Sequence, residues 1–393
     1  MEQLNELIRQ FCPCGVEILP LENVCRISKG VQFNKSDMHA SGTYPVINGG
    51  VTASGYIEQY NQDENTITIS QGGASAGYVN WIKTRFWAGA HCYVLKPTDK
   101  VLNRYLFHFV KSKESKLQEC QYGAGIPALA KTTVASLKIP LPPLPVQQEI
   151  VRILDNFTEL TAELTAELTA ELAARRKQYE YYRDELLRQG TITHYGKIID
   201  MLVQPITDGP HTTPTLVEKG IPFLSAEAVF DGRIHFNKKR GFITEEFDSE
   251  CCRKYKPQRD DVLMVKSGST TGKVGYVDTD ERFNVWSPLA AMRVNAKNSP
   301  RFLFHLLQSE HVQKQVRTKA SHGSQPNLSM RALEQFDVPI PSFDVQEEIA
   351  AVLDNLDALC NDLASGLPAE IAARQKQYEY YRDKLLTFKE LEV

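Results

Sequence analysis

The sequence lacks several features that would place a protein in a familiar class. No apolar run approaches the roughly 18 to 20 residues that a membrane-spanning helix requires, and the opening residues, MEQLNELIRQF, do not follow a signal-peptide pattern. None of the eight cysteines lies in a CxxC pair, so the spacing indicates neither a zinc site nor a disulfide framework. We therefore expect a soluble, cytoplasmic protein with reduced thiols and no metal.

Catalytic motifs are equally scarce. The sequence has no HExxH, no GxGxxG that opens a βαβ unit, and no Asn/Asp-Pro-Pro-aromatic motif of adenine methyltransferases. The nearest candidate, Gly268-Ser-Thr-Thr-Gly272-Lys273-Val274, is one residue short of a P-loop and has valine where the magnesium-binding hydroxyl belongs. A turn is favoured over a nucleotide site, and we expect the chain to catalyse no reaction itself.

An overall excess of positive charge is also missing, since the formal net charge is −3. The charge is nevertheless unevenly distributed. Residues 1–146 carry a net charge of +3 and residues 191–345 carry +2, whereas residues 147–190 and 346–393 carry −3 and −5. A polyanion is therefore expected to bind residues 1–146 and 191–345 rather than the two acidic segments.

The most informative positive feature is a repeat. Residues 147–187 return as residues 346–386, at an offset of 199. Both copies begin with QxEIxxxLDN, and both end with a tyrosine heptad, KQYEYYR, at residues 177–183 and 376–382. The segments before each copy have diverged almost everywhere. The chain thus carries two equal surfaces and two unequal ones.

The repeats are predicted to be long helices. Apolar residues recur at three and four residues from Leu154 to Leu172, and 41 helical residues would make a rod of about 60 Å. Residues 161–172 read TAEL three times, and each tetrapeptide would lengthen a helix by about 6 Å and rotate the residues after it by about 40°. A solvated low-complexity helix is the simpler interpretation, but the run could also serve as an adjustable spacer. Ser365-Gly-Leu-Pro368 predicts a kink or break in the second copy.

The diverged segments are predicted to be rich in β-strand, with short apolar runs between glycine-rich turns and a helix near residues 101–118 and 300–316. They remain related, because Arg104-Tyr-Leu-Phe-His108 matches Arg301-Phe-Leu-Phe-His305. The predicted fold is α+β, with two mixed, β-rich domains separated by two long helices that pair as an antiparallel coiled coil in a pseudo-twofold repeat. The predicted segments are domain 1 (1–146), a central helix (147–190), domain 2 (191–345) and a C-terminal helix (346–393).

This arrangement resembles the specificity subunit of type I restriction-modification systems, nearest to type IC, and the resemblance covers the full length. The motifs that carry it are the TAEL run and the two KQYEYYRDxLL endings. The resemblance implies that each diverged domain is a target recognition domain that reads one half of a split DNA sequence, while the helices set the gap. It also implies two modification subunits that use S-adenosylmethionine and two motor-nuclease subunits that use ATP and Mg, so this chain would hold no cofactor.

Contacts with double-stranded DNA are expected from glycine-rich loops with polar side chains and from clustered cations. For each residue, an ordinary turn or solvated surface charge is an alternative of similar or greater weight. The same holds for three further candidates for phosphate contacts, Arg253, Lys254 and Lys256. The residues assigned to DNA binding are Gln71, Gly72, Gly73, Ser75, Lys83, Arg85, His211, Lys238, Lys239, Arg240, Lys266, Ser267, Thr270, Thr271, Lys273, Gln325 and Asn327.

The tyrosine heptads are assigned to partner binding. Tyr179 and Tyr182 are three residues apart and fit the inner helical stripe, whereas Tyr181 must point elsewhere. Aromatic side chains on a polar helical face often mark a binding surface. The repeat predicts two identical docks per chain, at Tyr179, Tyr181 and Tyr182 and at Tyr378, Tyr380 and Tyr381.

Two alternatives remain open at this point. The chain could be a scaffold that binds no DNA, whose helices clamp two copies of a partner, and the weak net charge of the domains allows it. It could also be a P-loop enzyme, which would require ATP binding that depends on Lys273.

Overall fold

The computed structural model describes residues 2–123, 125, 127–188, 194–321, 325–361 and 366–391. The chain divides into two compact units, and each contains one diverged domain with part of both repeats. Unit 1 consists of Met1–Ala166 and Ala372–Val393, and unit 2 consists of Glu167–Ile371. Within the part of the chain that is described, no helix is both long enough and apolar enough to cross a bilayer.

Unit 1 is built on a sheet in which β2, β8, β5 and β6 lie in this order, all antiparallel. A smaller sheet has the order β4, β3 and β7, with β3 and β7 parallel, and β1 pairs with β9. All residues of β5 are buried, as expected for an inner strand rich in β-branched residues. The strands are β1 (Glu17–Pro20), β2 (Cys25–Lys29), β3 (Tyr44–Ile47), β4 (Tyr56–Ile57), β5 (Thr66–Ser70), β6 (Val79–Ile82), β7 (Trp87–Ala88), β8 (Cys92–Pro97) and β9 (Lys138–Leu141).

The helices of this domain are α1 (Glu2–Phe11), α2 (Asn103–Ser112), α3 (Glu114–Glu119) and α4 (Lys131–Ala135). Helix α2 buries Tyr105, Leu106 and Phe109 in the main core of the unit. The spacing of these residues at three and four places them on one helical face, which packs on the sheet. The first repeat then forms α5 (Leu144–Leu186), which starts three residues before the predicted boundary because Pro145 is accommodated in its first turn.

Unit 2 repeats this topology with different residues. Its main sheet has the order β11, β19, β16 and β17, its smaller sheet has the order β15, β12 and β18 with β12 and β18 parallel, and β10 pairs with β20. A hairpin of β13 and β14 is added. The strands are β10 (Tyr195–Lys197), β11 (Thr207–Asp208), β12 (Ile221–Leu224), β13 (Val229–Phe230), β14 (Arg233–Ile234), β15 (Gly241–Ile243), β16 (Val262–Val265), β17 (Val274–Tyr276), β18 (Asn284–Val285), β19 (Leu289–Met292) and β20 (Asp337–Pro339).

The helices of the second domain are α6 (Glu245–Cys252), α7 (Pro300–Gln308), α8 (Glu310–Lys319) and α9 (Met330–Glu334). Side-chain oxygens of Thr244, Ser299, Ser309 and Ser329 cap their N-termini. The second repeat forms α10 (Phe343–Asn361) and α11 (Leu367–Leu385). The second repeat is thus broken, as the sequence predicts, because α11 begins after Gly366 with Pro368 in its first turn. Ser365 lies outside the described residues.

The two repeats lie antiparallel within each unit, as predicted. In unit 1, the Thr158 hydroxyl is 3.0 Å from that of Tyr378, and the ring of Phe157 is 6.2 Å from that of Tyr381. In unit 2, the Arg176 guanidinium donates to Asn361 over 3.5 Å. Each domain therefore packs against the first half of the repeat that comes after it and the last half of the other repeat.

Candidate nucleic-acid interface

The glycine-rich segment at residues 71–78 joins β5 to β6 as a closely bonded turn. Gly77 N donates to Ser70 O over 2.8 Å, and Ala76 N donates to Gly73 O over 3.0 Å. A second segment crosses it, because Gly73 N donates to Pro127 O over 2.8 Å. We call residues 71–78 and the described residues of 122–129 loop pair 1.

Domain 2 contains the same construction at residues 266–273, between β16 and β17. Gly272 N donates to Val265 O over 2.8 Å, Thr271 N to Gly268 O over 3.1 Å, and Gly268 N to Pro326 O over 2.9 Å. We call residues 266–273 and the described residues of 321–328 loop pair 2. The backbone bonds thus correspond one to one with those of loop pair 1.

Glycines make this shared turn possible. Gly73 and Gly77 have φ values of 84° and 88°, and Gly268 and Gly272 have 103° and 97°. These values lie in the left-handed region, where a side chain is strained. A Cβ on Gly73 or Gly268 would meet no atom within 4 Å, so these two positions are open. The glycines serve the backbone and leave the side chains between them free to differ.

The side chains do differ. Loop pair 1 presents Gln71, Gly72, Gly73 and Ser75, all uncharged. Loop pair 2 presents half-buried Ser267 and Thr270 together with exposed Lys273, Gln325 and Asn327. Ser267 forms a β-bridge with Asn327, which brings the two segments of this pair together. Amides, hydroxyls and an ammonium group are the donors and acceptors that read base edges.

Two residues assigned to DNA binding, Lys266 and Thr271, are held by contacts within domain 2. Lys266 is 9% exposed, and its Nζ lies 3.3 Å from Oδ2 of the buried Asp208. Thr271 donates its hydroxyl to Gly268 O over 2.7 Å and so holds the turn. Both side chains are held by contacts within domain 2, and their assignment to DNA binding stays a prediction.

Asp208 lies at the centre of a cluster of basic side chains that the sequence did not predict. Lys254 pairs with Asp208 Oδ1, and Nε2 of the exposed His211 lies 3.2 Å from Oδ2. Burial alone would raise the pKa of Asp208, but the ammonium groups of Lys254 and Lys266 outweigh this effect and lower the pKa below its ordinary value. Asp208 is therefore ionised and holds His211 and Lys254 at one place on the surface.

Other cations lie on aromatic rings. The Arg240 guanidinium lies 4.0 Å from the Trp286 ring. The segment that carries Trp286 is bonded to loop pair 2, because Lys266 N donates to Pro288 O. Lys239 lies 4.8 Å from the Phe242 ring, and Lys238 beside it is exposed. Such contacts orient a cation without neutralising it.

Domain 1 has a smaller group of cations between β6 and β7. Lys83 and Arg85 are exposed there. The Arg85 guanidinium lies 4.8 Å from the Tyr60 ring, and its Nε is 4.0 Å from Asp63. Tyr60 and Trp286 are supporting residues that the sequence reasoning missed, because nothing in their local sequence indicates the cation that they meet.

The geometry does not support the P-loop alternative. A P-loop joins a strand to a helix, whereas residues 266–273 join two antiparallel strands, β16 and β17. The same turn occurs at residues 71–78, where no such motif is present. Among the residues that are described, no cluster of three or more His, Cys, Asp or Glu side chains is placed to share a metal ion.

Comparison with known proteins assigns the family. Residues 13–174 and 212–373 each match the family model of the type I restriction modification DNA specificity domain. The chain belongs to this family. A Haemophilus influenzae protein named as a putative type I restriction enzyme specificity subunit is 32% identical over 390 residues, which cover 95% of this chain and 96% of the relative. The Escherichia coli EcoR124I/EcoR124II specificity subunit is 28% identical over 411 residues, which cover 99% and 98%.

A solved structure supports the fold of this family member. A chain from work on the complex assembly and conformational transition of the type I R-M system superposes with a TM-score of 0.64. The match covers 96% of this chain and 98% of the other, at 15% identity. The resemblance inferred from the sequence is confirmed at the level of the family, with one DNA specificity domain matched in each half of the chain.

The tyrosine heptads of this type I family member present matching surfaces. Tyr181 and Tyr182 are 63% and 42% exposed, and Tyr380 and Tyr381 are 62% and 40% exposed. The ring centroids are 5.5 Å apart in the first pair and 5.4 Å apart in the second.

The remaining tyrosine of each heptad lies deeper. Tyr179 is 6% exposed and belongs to the core of unit 2, and Tyr378 is half-buried. Tyr179 therefore packs in its own unit, and its assignment to partner binding stays a prediction. The exposed aromatic side chains of each heptad are two adjacent tyrosines. Tyr182 was expected on the inner stripe but lies at the surface.

Proposed function

We propose that this chain gives a type I restriction-modification complex its DNA sequence specificity by reading a split target, one half with each domain. The observation that carries the proposal is the pair of loop constructions, which have the same backbone bonds and different side chains. A common shape suits a common ligand, the duplex, and different donors suit different base sequences. Phosphate contacts from Lys83, Arg85, His211, Lys238 and Lys273 would make binding sensitive to salt.

We propose that helix α5 sets the gap between the two half-sites. It is 43 residues long and includes the whole TAEL run at residues 161–172. An α-helix has a defined rise and rotation per residue, so its length determines a spacing in steps. Removing one tetrapeptide should therefore change the gap and leave the reading loops untouched.

We propose that the exposed tyrosine pairs each dock one modification subunit. The two pairs match in sequence, exposure and ring spacing, which suits two copies of one partner. The complex would also include two restriction subunits and work on DNA in the cytoplasm. S-adenosylmethionine, ATP and Mg would be held by those subunits, and this chain would perform no bond chemistry.

The test is methylation of a random-sequence DNA library by the chain with its modification subunits. A split motif with one fixed gap is expected. Deleting Thr169-Ala-Glu-Leu172 should shorten the gap and leave both half-motifs unchanged, whereas a changed half-motif would contradict the spacer role. If no split motif emerges, the proposal fails.

The scaffold alternative is tested separately. A gel shift with mixed duplex DNA at low salt, in the presence of modification subunits, should show a complex. If the chain binds the subunits but the assembly binds no DNA, the scaffold function is the correct one.

A further inference from the structure

An arginine and a histidine recur in both diverged domains, within the matching segments 104–108 and 301–305, and both contact the repeated helices. In unit 1, Arg104 Nε and His108 Nε2 lie 2.8 and 2.7 Å from Oδ1 of Asp155 on α5. In unit 2, Arg301 Nε and His305 Nε2 lie 2.8 and 2.6 Å from Oδ1 of Asp354 on α10. We call each set of arginine, histidine and aspartate a clamp.

The histidines of the clamps are neutral hydrogen-bond donors. His108 and His305 are 1% and 0% exposed. Burial lowers the pKa of His108 to about 4 and also lowers the pKa of His305. A neutral imidazole carries one proton, and the nitrogen that faces a carboxylate must hold it. Each carboxylate thus accepts from the arginine Nε and from the histidine, and Asp354 also accepts from Nη2 of Arg301.

Aromatic rings orient the arginines in the same way in both units. The Arg104 guanidinium lies 4.7 Å from the Trp81 ring and 4.8 Å from the Phe107 ring. The Arg301 guanidinium lies 4.5 Å from the Tyr276 ring and 4.6 Å from the Phe304 ring. Each arginine is therefore directed at its aspartate by the domain that carries it.

A second hydrogen bond joins each domain to its helix, at a glutamine eight residues before the aspartate of the clamp. Gln147 Oε1 accepts from Leu102 N over 2.9 Å, and Gln346 Oε1 accepts from Ser299 N over 2.8 Å. Eight residues correspond to about 12 Å along a helix. Two attachment points at this separation prevent the domain from pivoting about either one.

Unit 2 adds a third element to its clamp. The Tyr179 hydroxyl lies 2.9 Å from Nδ1 of His305, which must accept because Nε2 carries the proton. Tyr179 belongs to the last half of α5, so the clamp of domain 2 contacts both repeats. In unit 1, the hydroxyl of the equivalent Tyr378 lies 3.0 Å from that of Thr158.

We propose that Asp155 and Asp354 are positioning residues that lock each recognition domain in one orientation on its helix, and so hold the gap between half-sites to a single length. This inference rests on the proposed function. It explains why the arginine and the histidine remain in domains that have diverged at most other positions. A helix can set a spacing only if the domains cannot rotate on it.

The test measures the distribution of gap lengths in methylated library DNA. Asp155→Ala and Asp354→Ala remove the carboxylate that accepts these bonds, and each should broaden one gap length into two or more adjacent lengths with both half-motifs unchanged. Asp155→Asn keeps the Oδ1 acceptor and should give an intermediate distribution. Glu159→Ala, an exposed position one turn further along α5, serves as the matched control and should keep one gap length.

The outcomes separate this inference from the proposed function. If the unaltered chain gives no split motif, the proposed function fails whatever the clamps do. If the unaltered chain gives one gap and the alanine and asparagine variants give the same single gap, the clamp inference is overturned. Arg104→Lys keeps the charge but loses the planar guanidinium that lies on the Trp81 and Phe107 rings and donates from Nε to Asp155. It should also broaden the gap, and it decides the question if an alanine variant does not fold.

Discussion

The loop pairs and the tyrosine heptads are both repeated, but they preserve opposite properties. Residues 71–78 and 266–273 share backbone bonds and the conformation of two glycines each, whereas most of their side chains differ. Residues 177–183 and 376–382 have identical side chains, and the exposures of their outer tyrosines agree within two percentage points. A surface that keeps its shape and changes its chemistry suits two variants of one ligand, whereas a surface that keeps both suits the same ligand twice.

The clamps resemble the heptads, because they keep the same side chains in both units. Their arginine, histidine and aspartate recur with bond lengths that agree within 0.1 Å between the units. Each domain therefore combines both properties. Its arginine and histidine that contact the helix are the same in both units, whereas most side chains of its loop, at residues 71–78 or 266–273, differ.

The largest effect is expected from removing an exposed tyrosine pair. Tyr181→Ala with Tyr182→Ala, or Tyr380→Ala with Tyr381→Ala, should lose one of two bound modification subunits, and the fourfold variant should lose both. Buried aromatic contacts at interface centres contribute about 2 kcal/mol or more each, so one pair is worth about 1,000-fold in affinity. Native mass spectrometry gives the stoichiometry. The exposed Tyr195→Ala is the control, and two subunits on either double variant would refute the equal docks.

A smaller effect concerns the kept clamp of unit 1. His108 takes up a proton near pH 6.5 in the unfolded chain but only near pH 4 in the folded unit. Its pKa is depressed on folding, so the free energy of unfolding should fall by about 3 kcal/mol as the pH drops from 6.5 to 4. Urea unfolding measures the free energy of unfolding of the chain and of His108→Gln at each pH. The difference between the two proteins isolates the contribution of His108, because the carboxylates titrate in both. A charged His108 paired with Asp155 would produce the opposite slope.

The smallest effects test the shared loop backbone. A Cβ on Gly77 would lie 2.8 Å from the backbone N of Gln118, whereas the tightest contact of one on Gly272 would be the flexible Oε1 of Gln313, at 2.7 Å. Both positions have positive φ, which costs about 1 kcal/mol for alanine. Gly77→Ala should therefore destabilise the chain by more than Gly272→Ala, while Gly73→Ala and Gly268→Ala should cost only the backbone amount. Thermal unfolding of the four variants would reveal any departure from this order.

Much of the fold could be predicted from sequence because the governing signals are local. The apolar period predicts α5, the short β-branched runs predict β5 and β16, and Pro368 predicts that α11 must begin anew. The pairing of the repeats follows from two apolar stripes in one chain, and its antiparallel sense follows from the globular segment between them, which can return the chain along the first helix. What the period could not show is which domain each half of a helix packs against, because that depends on tertiary contacts.

The candidate site was less accessible to sequence reasoning. The two loops share little except glycines, so their common backbone emerges only from the hydrogen bonds. Lys266 turns inward because Asp208, 58 positions earlier, is buried beside it. Tyr179 is buried because His305 meets it from another element. Each of these placements depends on a partner that is distant in sequence.

The measurement that tests the central claim most directly compares the methylated motif of the unaltered chain with that of a loop variant, on the same random library and with the same modification subunits. The variant carries Ser267→Ala, Thr270→Ala, Lys273→Ala and Asn327→Ala, all in loop pair 2. We predict that one half of the motif changes while the other half and the gap stay the same. A change in both halves, or in neither, would contradict the claim that each domain reads its own half-site.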